Sequence, residues 1–151
     1  MIDIEDFKKS IGKRSRLLGI DPGKKRVGLA ISDEDKLVST PLKTIIKKNN
    51  SDFVKEIREI IEENNVKGII VGNPINMDGS KSSSSQSAND FAKYLSNNIS
   101  IPVAMWDERL SSEGAFNLAS NLDVNTSKKI SKLDQNAASF ILQGAIDYLK
   151  R

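Results

Sequence analysis

Leu17-Leu18-Gly19-Ile20-Asp21-Pro22-Gly23-Lys24-Lys25-Arg26-Val27-Gly28-Leu29-Ala30-Ile31 is the stretch whose reading decides the fold. An apolar run ends in an acid, a tight basic turn follows, and a second apolar run leads back. Leu17 to Ile20 is predicted to be a buried strand, and Arg26 to Ser32 its hairpin partner. Pro22-Gly23 supplies turn chemistry, because proline fixes one φ and glycine permits a positive one. Asp21 therefore sits where a central strand leaves the sheet. A carboxylate there carries a desolvation penalty unless something positive meets it. Lys24, Lys25 and Arg26 are near in sequence, and a metal ion is the other candidate.

The rest of the chain bounds what such an acid can do. Its 151 residues suit one domain, with a core over about 16–149 and an N-terminal helical extension over 1–15. A hydrophobic content of 38% argues against disorder. The longest apolar runs are too short to cross a membrane, and the acidic start Met1-Ile2-Asp3-Ile4-Glu5-Asp6 lacks the apolar core of a signal peptide. The reading is a cytoplasmic protein without a membrane partner. The chain has no cysteine and no histidine. That excludes disulfides, thiolate nucleophiles, Cys/His zinc sites and Ser-His-Asp triads. Acid–base or metal chemistry must come from Asp, Glu, Lys, Tyr or main chain, and oxygen ligands favour Mg²⁺ or Mn²⁺. A net charge of +3 leans toward a polyanionic partner.

Outward from the hairpin, Ile4, Phe7 and Ile11 have helical spacing, and Leu37 to Thr44 reads as a third strand with Pro41 at an edge or bulge. Ser51 is placed to cap a helix reaching about Asn64, with Phe53, Ile57, Ile60 and Ile61 inward. Lys67 to Gly72 is apolar throughout its centre, as befits the middle of a parallel sheet. Asn73 to Gln86 reads as a polar loop, with the serine run Ser82 to Ser85 marking mobility. A helix through Ala88, Phe91, Ala92 and Leu95 follows, then a strand over Ile101 to Trp106. Ser111 is placed to cap another helix, with Ala115, Leu118, Ala119 and Leu122 inward. Asp123 to Lys132 reads as a second polar loop. A last helix starts near Asp134, with Ala137, Ala138, Ile141, Leu142, Ala145 and Leu149 on one side. Three antiparallel strands followed by right-handed β-α-β crossovers give one mixed sheet covered by helices. Ligands of such sheets collect at the carboxyl ends of the parallel strands. Asp21, Glu108 with its neighbour Asp107, and Asp134 lie at that level.

Carboxylates brought together repel one another unless cations sit between them. Two divalent ions about 3.5–4 Å apart would serve phosphodiester hydrolysis without any histidine. Each acid also has a structural reading. Asp21 fits an Asx turn, Glu108 a surface pair with Arg109, and Asp134 a helix N-cap stapled by Leu133 and Ala138. Asn76, Ser80 and Lys81 lie in the loop after the central strand, where they can contact phosphates. Lys24, Lys25 and Arg26, with Lys128, Lys129 and Lys132, form two basic groups suited to a nucleic-acid backbone or to a solvated face. Trp106 is more often core than stacking platform.

Four stretches, in order, resemble the successive motifs of the YqgF or RuvX-like family. They are Gly19 to Gly28, Val71-Gly72-Asn73-Pro74-Ile75-Asn76-Met77-Asp78-Gly79, Asp107-Glu108-Arg109-Leu110-Ser111, and Leu133-Asp134-Gln135-Asn136-Ala137-Ala138. The resemblance runs from about Arg16 to Leu149. It implies a ribonuclease H-like α/β fold: a mixed five-stranded sheet, three antiparallel strands then β-α-β-α-β, with helices on both faces. It further implies a metal-dependent nuclease that matures the 5′ end of precursor 16S rRNA, a structured RNA, in the bacterial cytoplasm. A Holliday-junction-resolvase-like activity on branched DNA is the alternative. Carried over by position, Asp21, Glu108 and Asp134 are the catalytic acids and metal ligands, while Arg26, Asn76 and Arg109 match recurrent polar positions. Two departures stand out. The family often has leucine where this chain has Asn73, and basic residues where it has Ser82 to Ser87. Two further readings are a protein of the same fold that clamps RNA or a junction without cutting, and a nucleotide-binding domain of the actin-like kind. The latter needs two such domains. Monomer and weak dimer both remain open.

Overall fold

In a computed structural model the chain is described over residues 1–23, 25–74, 83–107 and 126–150, with side chains throughout these except at 83, 84 and 126–136. The elements are α1 (Ile4–Ser10), β1 (Arg16–Asp21), β2 (Arg26–Ser32), β3 (Ser39–Ile46), α2 (Asn50–Asn64), β4 (Val66–Asn73), α3 (Ser83–Asn98), β5 (Val103–Asp107) and α4 (Thr126–Leu149). The strands form one sheet in the order β3-β2-β1-β4-β5. β1 and β2, and β2 and β3, are antiparallel, whereas β1–β4 and β4–β5 are parallel. Pro41 lies both on the edge strand and at a register shift, since Leu29 faces Lys43 while Ala30 faces Pro41. An edge bulge is where a residue without an N–H does least harm to the ladder.

The sheet is apolar on both faces, as a sheet covered by helices on each side requires. One face carries Leu18, Ile20, Val27, Leu29, Ile69, Val71 and Val103 against Phe53, Ile57 and Ile60 of α2 and Ala92 and Leu95 of α3. The other carries Leu17, Ala30, Ile70, Ala104 and Trp106 against Phe7 of α1 and Ala138, Ile141, Leu142, Ala145 and Ile146 of α4. Gly19 is where α4 comes closest to β1. A Cβ there would lie 2.7 Å from the Leu142 Cβ and 3.2 Å from the Ala138 carbonyl oxygen.

Several boundaries differ from those read in the sequence. α4 begins at Thr126, so Asp134 lies inside a 24-residue helix and is not its N-cap. The stretch read as a loop up to Lys132 is helical from Thr126, because lysine and serine are tolerated within a helix and the stretch carries no breaker. Ser83 to Ser85 likewise open α3 instead of lying in a loop. α2 is capped by Asn49, whose side chain accepts from the Asp52 N–H at 2.8 Å, not by Ser51. Asn65 ends that helix in the left-handed region at φ 54°. Strand β5 omits Ile101 and Pro102 and runs on to Asp107. The helix expected after Ser111 lies outside the described residues. No helix among the described residues is long and apolar enough to cross a membrane.

Asp33 organises the turn between β2 and β3, accepting from the N–H groups of Leu37 at 2.8 Å and Val38 at 3.0 Å. Chiefly the Val38 bond holds its carboxyl below the ordinary value of 3.8. Hydrogen bonds to a carboxylate favour the charged form, so Asp33 stabilises the fold above the unfolded value and loses that contribution as pH falls through its lower folded value. Asp33→Ala is expected to be less stable than wild type from pH 5 to 7. The difference should shrink below about pH 3.8, as followed by urea denaturation across pH. Gly19→Ala should cost about 1–3 kcal/mol in the same assay at neutral pH, because the obstacle includes helix backbone and not only a side-chain tip.

Candidate functional site

The carboxyl ends of the three mutually parallel strands lie along one edge of the sheet, and each ends on a polar residue: Asp21 on β1, Asn73 on β4, Asp107 on β5. Ile20 is in register with Val71 and Val71 with Met105, so Asp21 stands level with Gly72 and Trp106, one row before the Asn73–Asp107 pair. Adjacent strands are about 4.8 Å apart, which separates the ends of β1 and β5 by roughly 10 Å.

The pleat then divides these residues. Asp21 alternates with Leu17 and Gly19, the face covered by α4. Asn73 and Asp107 alternate with Val71 and Val103, the face covered by α2 and α3. The buried Ser85 hydroxyl at the start of α3 donates to the Asn73 Oδ1 at 2.8 Å, which fixes Asn73 on that side. Reading the sequence passed over this pair. The available signal was an amide at the end of a central strand, followed by a serine run able to reach it.

The turn after Asp21 is tight for a steric reason. A Cβ on Gly23 would come within 2.1 Å of the Arg26 carbonyl oxygen, and Gly23 itself stays outside the left-handed region. Glycine is needed for space here, not for a positive φ. The turn delivers exposed Lys25 and Arg26 to the same edge. Lys47, just past β3, donates its N–H to the Lys25 carbonyl at 2.7 Å and ties the two chain segments together.

Of the residues singled out in the sequence, Asp21 lies half-buried at the end of the central strand, and Lys25 and Arg26 lie beside it. Lys128, Lys129, Lys132 and Asp134 all belong to α4. Lys24, Asn76, Lys81, Glu108 and Arg109 lie outside the described residues. Trp106 is 8% exposed and packs its ring against Tyr148 at 5.6 Å, so it belongs to the core. Among the described residues no three acids gather into a group able to hold a metal ion. The donor type at the edge is nonetheless uniform. Asp21, Asn73 and Asp107 offer oxygen, and the chain has no cysteine thiolate or imidazole to compete. That chemistry fits a hard cation such as Mg²⁺ or Mn²⁺ and does not fit zinc or copper.

A mixed sheet in this order, clothed by helices on both faces, with an acid closing its central strand, is the ribonuclease H-like architecture. Two solved structures share it: a Thermus thermophilus RuvC in complex with a Holliday junction substrate, and a Fowlpox virus resolvase in complex with Holliday junction DNA. The first has a TM-score of 0.54 and 13% identity, covering 89% of this chain and 94% of that one. The second has a TM-score of 0.50 and 15% identity, covering 89% and 97%. The chain belongs to the RuvX family, described as Holliday junction resolvase, which matches residues 15–148. A relative from Pelagibacter ubique that carries the provisional name pre-16S rRNA nuclease is 56% identical over 149 residues, 99% of each chain. One of the same name from Methylocella silvestris is 37% identical, covering 100% of this chain and 94% of its own.

Ser85→Ala should cost about 1–2 kcal/mol in urea denaturation, because it leaves the Asn73 amide without its buried partner. In an Asn73→Leu background the same change should cost less. A double-mutant cycle therefore returns a coupling of about 1 kcal/mol.

Proposed function

We propose that this protein is a Mg²⁺- or Mn²⁺-dependent endonuclease that cleaves phosphodiester bonds in structured RNA, maturing the 5′ end of precursor 16S rRNA in the cytoplasm. The observation that carries the reading is the position of Asp21. It closes the central strand, on the face along which α4 runs. The names of the relatives support the substrate.

Asp21, Glu108 and Asp134 are the acids of this reading. Positions 134, 138 and 142 share one stripe of α4, and Ala138 and Leu142 on that stripe meet Gly19. Gln143, further along the helix, donates its amide N–H to the Leu37 carbonyl at 3.1 Å, in the turn at the opposite edge of the sheet. Residue numbers in α4 therefore fall toward the Asp21 edge. One helical turn from Ala138 to position 134 spans about 6 Å, and two strand residues from Gly19 to Asp21 span about 6.6 Å. The match supports Asp134 as the partner of Asp21. Strand alternation puts Asp107 on the α2 and α3 face, which supports Glu108, the next residue, as the acid for the α4 face.

When bound, a divalent cation supplies an activated water and neutralises charge on the scissile phosphate. The protein's part is to hold the acids rigidly and to bind the substrate backbone. Asp21 is fixed by its pairing with Gly28 of β2, and the preceding Ile20 by its pairing with Val71 of β4. Lys24, Lys25, Arg26, Asn76, Lys81 and Arg109 would contact phosphates beside it, and Lys128, Lys129 and Lys132 would do so from α4.

The test is cleavage of a 5′-extended 16S precursor with Mg²⁺ or Mn²⁺. Asp21→Asn is expected to lower the rate on the order of 10³-fold or more with the fold intact, and chelation should abolish cleavage. Unchanged cleavage by Asp21→Asn overturns the mechanism. The family description favours a second substrate, so a four-way DNA junction belongs in the same assay. Preferential cutting of the junction would move the substrate to branched DNA. Binding without cutting on either substrate would make the protein a clamp.

A further inference from the structure

We propose that the β3 corner of this same sheet edge is a track for a single-stranded segment of RNA. This rests on the nuclease reading above and names how the substrate's unpaired leg is held. Four cations meet at that corner. Lys25 precedes β2 and Arg26 opens it, Lys47 and Lys48 follow β3, and the Ile46–Arg26 pairing with the Lys47-to-Lys25 hydrogen bond joins them. Lys25, Lys47 and Lys48 form no ion pair among the described residues, whereas Arg14 and Lys43 elsewhere do. Asp52 and Glu56 line a neighbouring cleft with Lys47 and Lys48 but are already engaged by Asn49 and Lys43, so the lysines beside this nuclease edge remain complementary to phosphates.

The strip leads into an open cleft of about 400 Å³ lined by Lys47, Asn50, Ser87, Asp90, Phe91 and Tyr94. That size is within the range of small-ligand sites and suffices for a nucleobase. The aromatic wall is rigid. Phe91 tilts onto the buried Phe53 with ring centroids 5.2 Å apart, and the Lys47 Nζ stands 5.3 Å from the Phe91 ring centre. Tyr94 lies one turn further along α3, half-buried and lining the same cleft. Lysines that track a backbone beside aromatic rings that stack bases are the two parts of a single-strand site. Asp90, whose carboxylate accepts from the Gln86 amide at 3.0 Å, repels phosphate and accepts from base amino groups. It thus orients bases into the cleft and the backbone onto the lysines. By strand spacing the strip runs from roughly 5 Å (β2) to roughly 10 Å (β3) to the side of β1, so one strand can cross both.

The test is fluorescence anisotropy of a labelled 12-nucleotide single-stranded RNA with the full chain and no added metal, so that cleavage plays no part. Lys47→Glu/Lys48→Glu should weaken binding at least about 10-fold and reduce the slope of log Kd against log salt by about 1.4. Tyr94→Ala should weaken it about 5- to 150-fold, while Tyr94→Phe stays near wild type. Three outcomes overturn the proposal: no binding by wild type, both altered proteins within twofold of wild type, or equal loss in Tyr94→Phe and Tyr94→Ala. None of these bears on the Asp21→Asn cleavage result, so the two readings fail separately.

Discussion

Contact between α4 and β1 is possible because Gly19 has no side chain. The helix lies against strand backbone there, with the Leu142 Cβ and the Ala138 carbonyl within 2.7 and 3.2 Å of where a Cβ would stand. At such a separation the height of α4 along the strand is set by steric fit, not by the looser matching of long side chains. Asp21 follows two residues later, so whatever α4 brings to that edge is brought in fixed relation to the acid.

The edge itself is divided by the pleat. Strand alternation turns Asp21 toward α4 and turns Asn73 and Asp107 toward α2 and α3. Nearby acids therefore do not share one environment. Asn73 is bound by Ser85 into the packing of α3. In the reading advanced above, cation chemistry belongs to the α4 face and the grip on the substrate's unpaired strand to the corner where β2, β3 and the α2–α3 cleft meet. A sheet edge with two faces gives both tasks room.

Most of the architecture was legible because its signals are local. The Leu17–Ile20 run, Pro22-Gly23 and the apolar return Val27–Ile31 carry strand and turn chemistry within a dozen residues, and Pro41 announced an edge bulge that is there. Helix starts were less legible. Asp134 is an excellent cap by residue type, yet α4 starts at Thr126, because serine and lysine are helix-tolerant and nothing between them stops the helix. Ser51 lost its cap to Asn49 for a similar reason, since two adjacent polar residues can both serve and a two-residue shift separates them. The candidate site was legible only as residue types. That Asp107 and Asp21 face opposite ways follows from strand register, and that Lys47 joins Lys25 follows from a pairing between distant segments. Neither is present in any short stretch of sequence. Gly23 was read as turn chemistry through a permitted positive φ, whereas its role is space, because crowding by the Arg26 carbonyl appears only once the hairpin closes.

The central claim is that one cation sits on the α4 face of the sheet edge, bound through Asp21. Anomalous scattering from crystals grown with Mn²⁺ measures this without reference to any substrate. The account predicts a peak on the α4 side of β1, within about 2.0–2.3 Å of an Asp21 carboxylate oxygen. A peak seated instead beside Asp107 on the α2 and α3 side, or no ordered Mn²⁺ near Asp21 at saturating concentration, would contradict it.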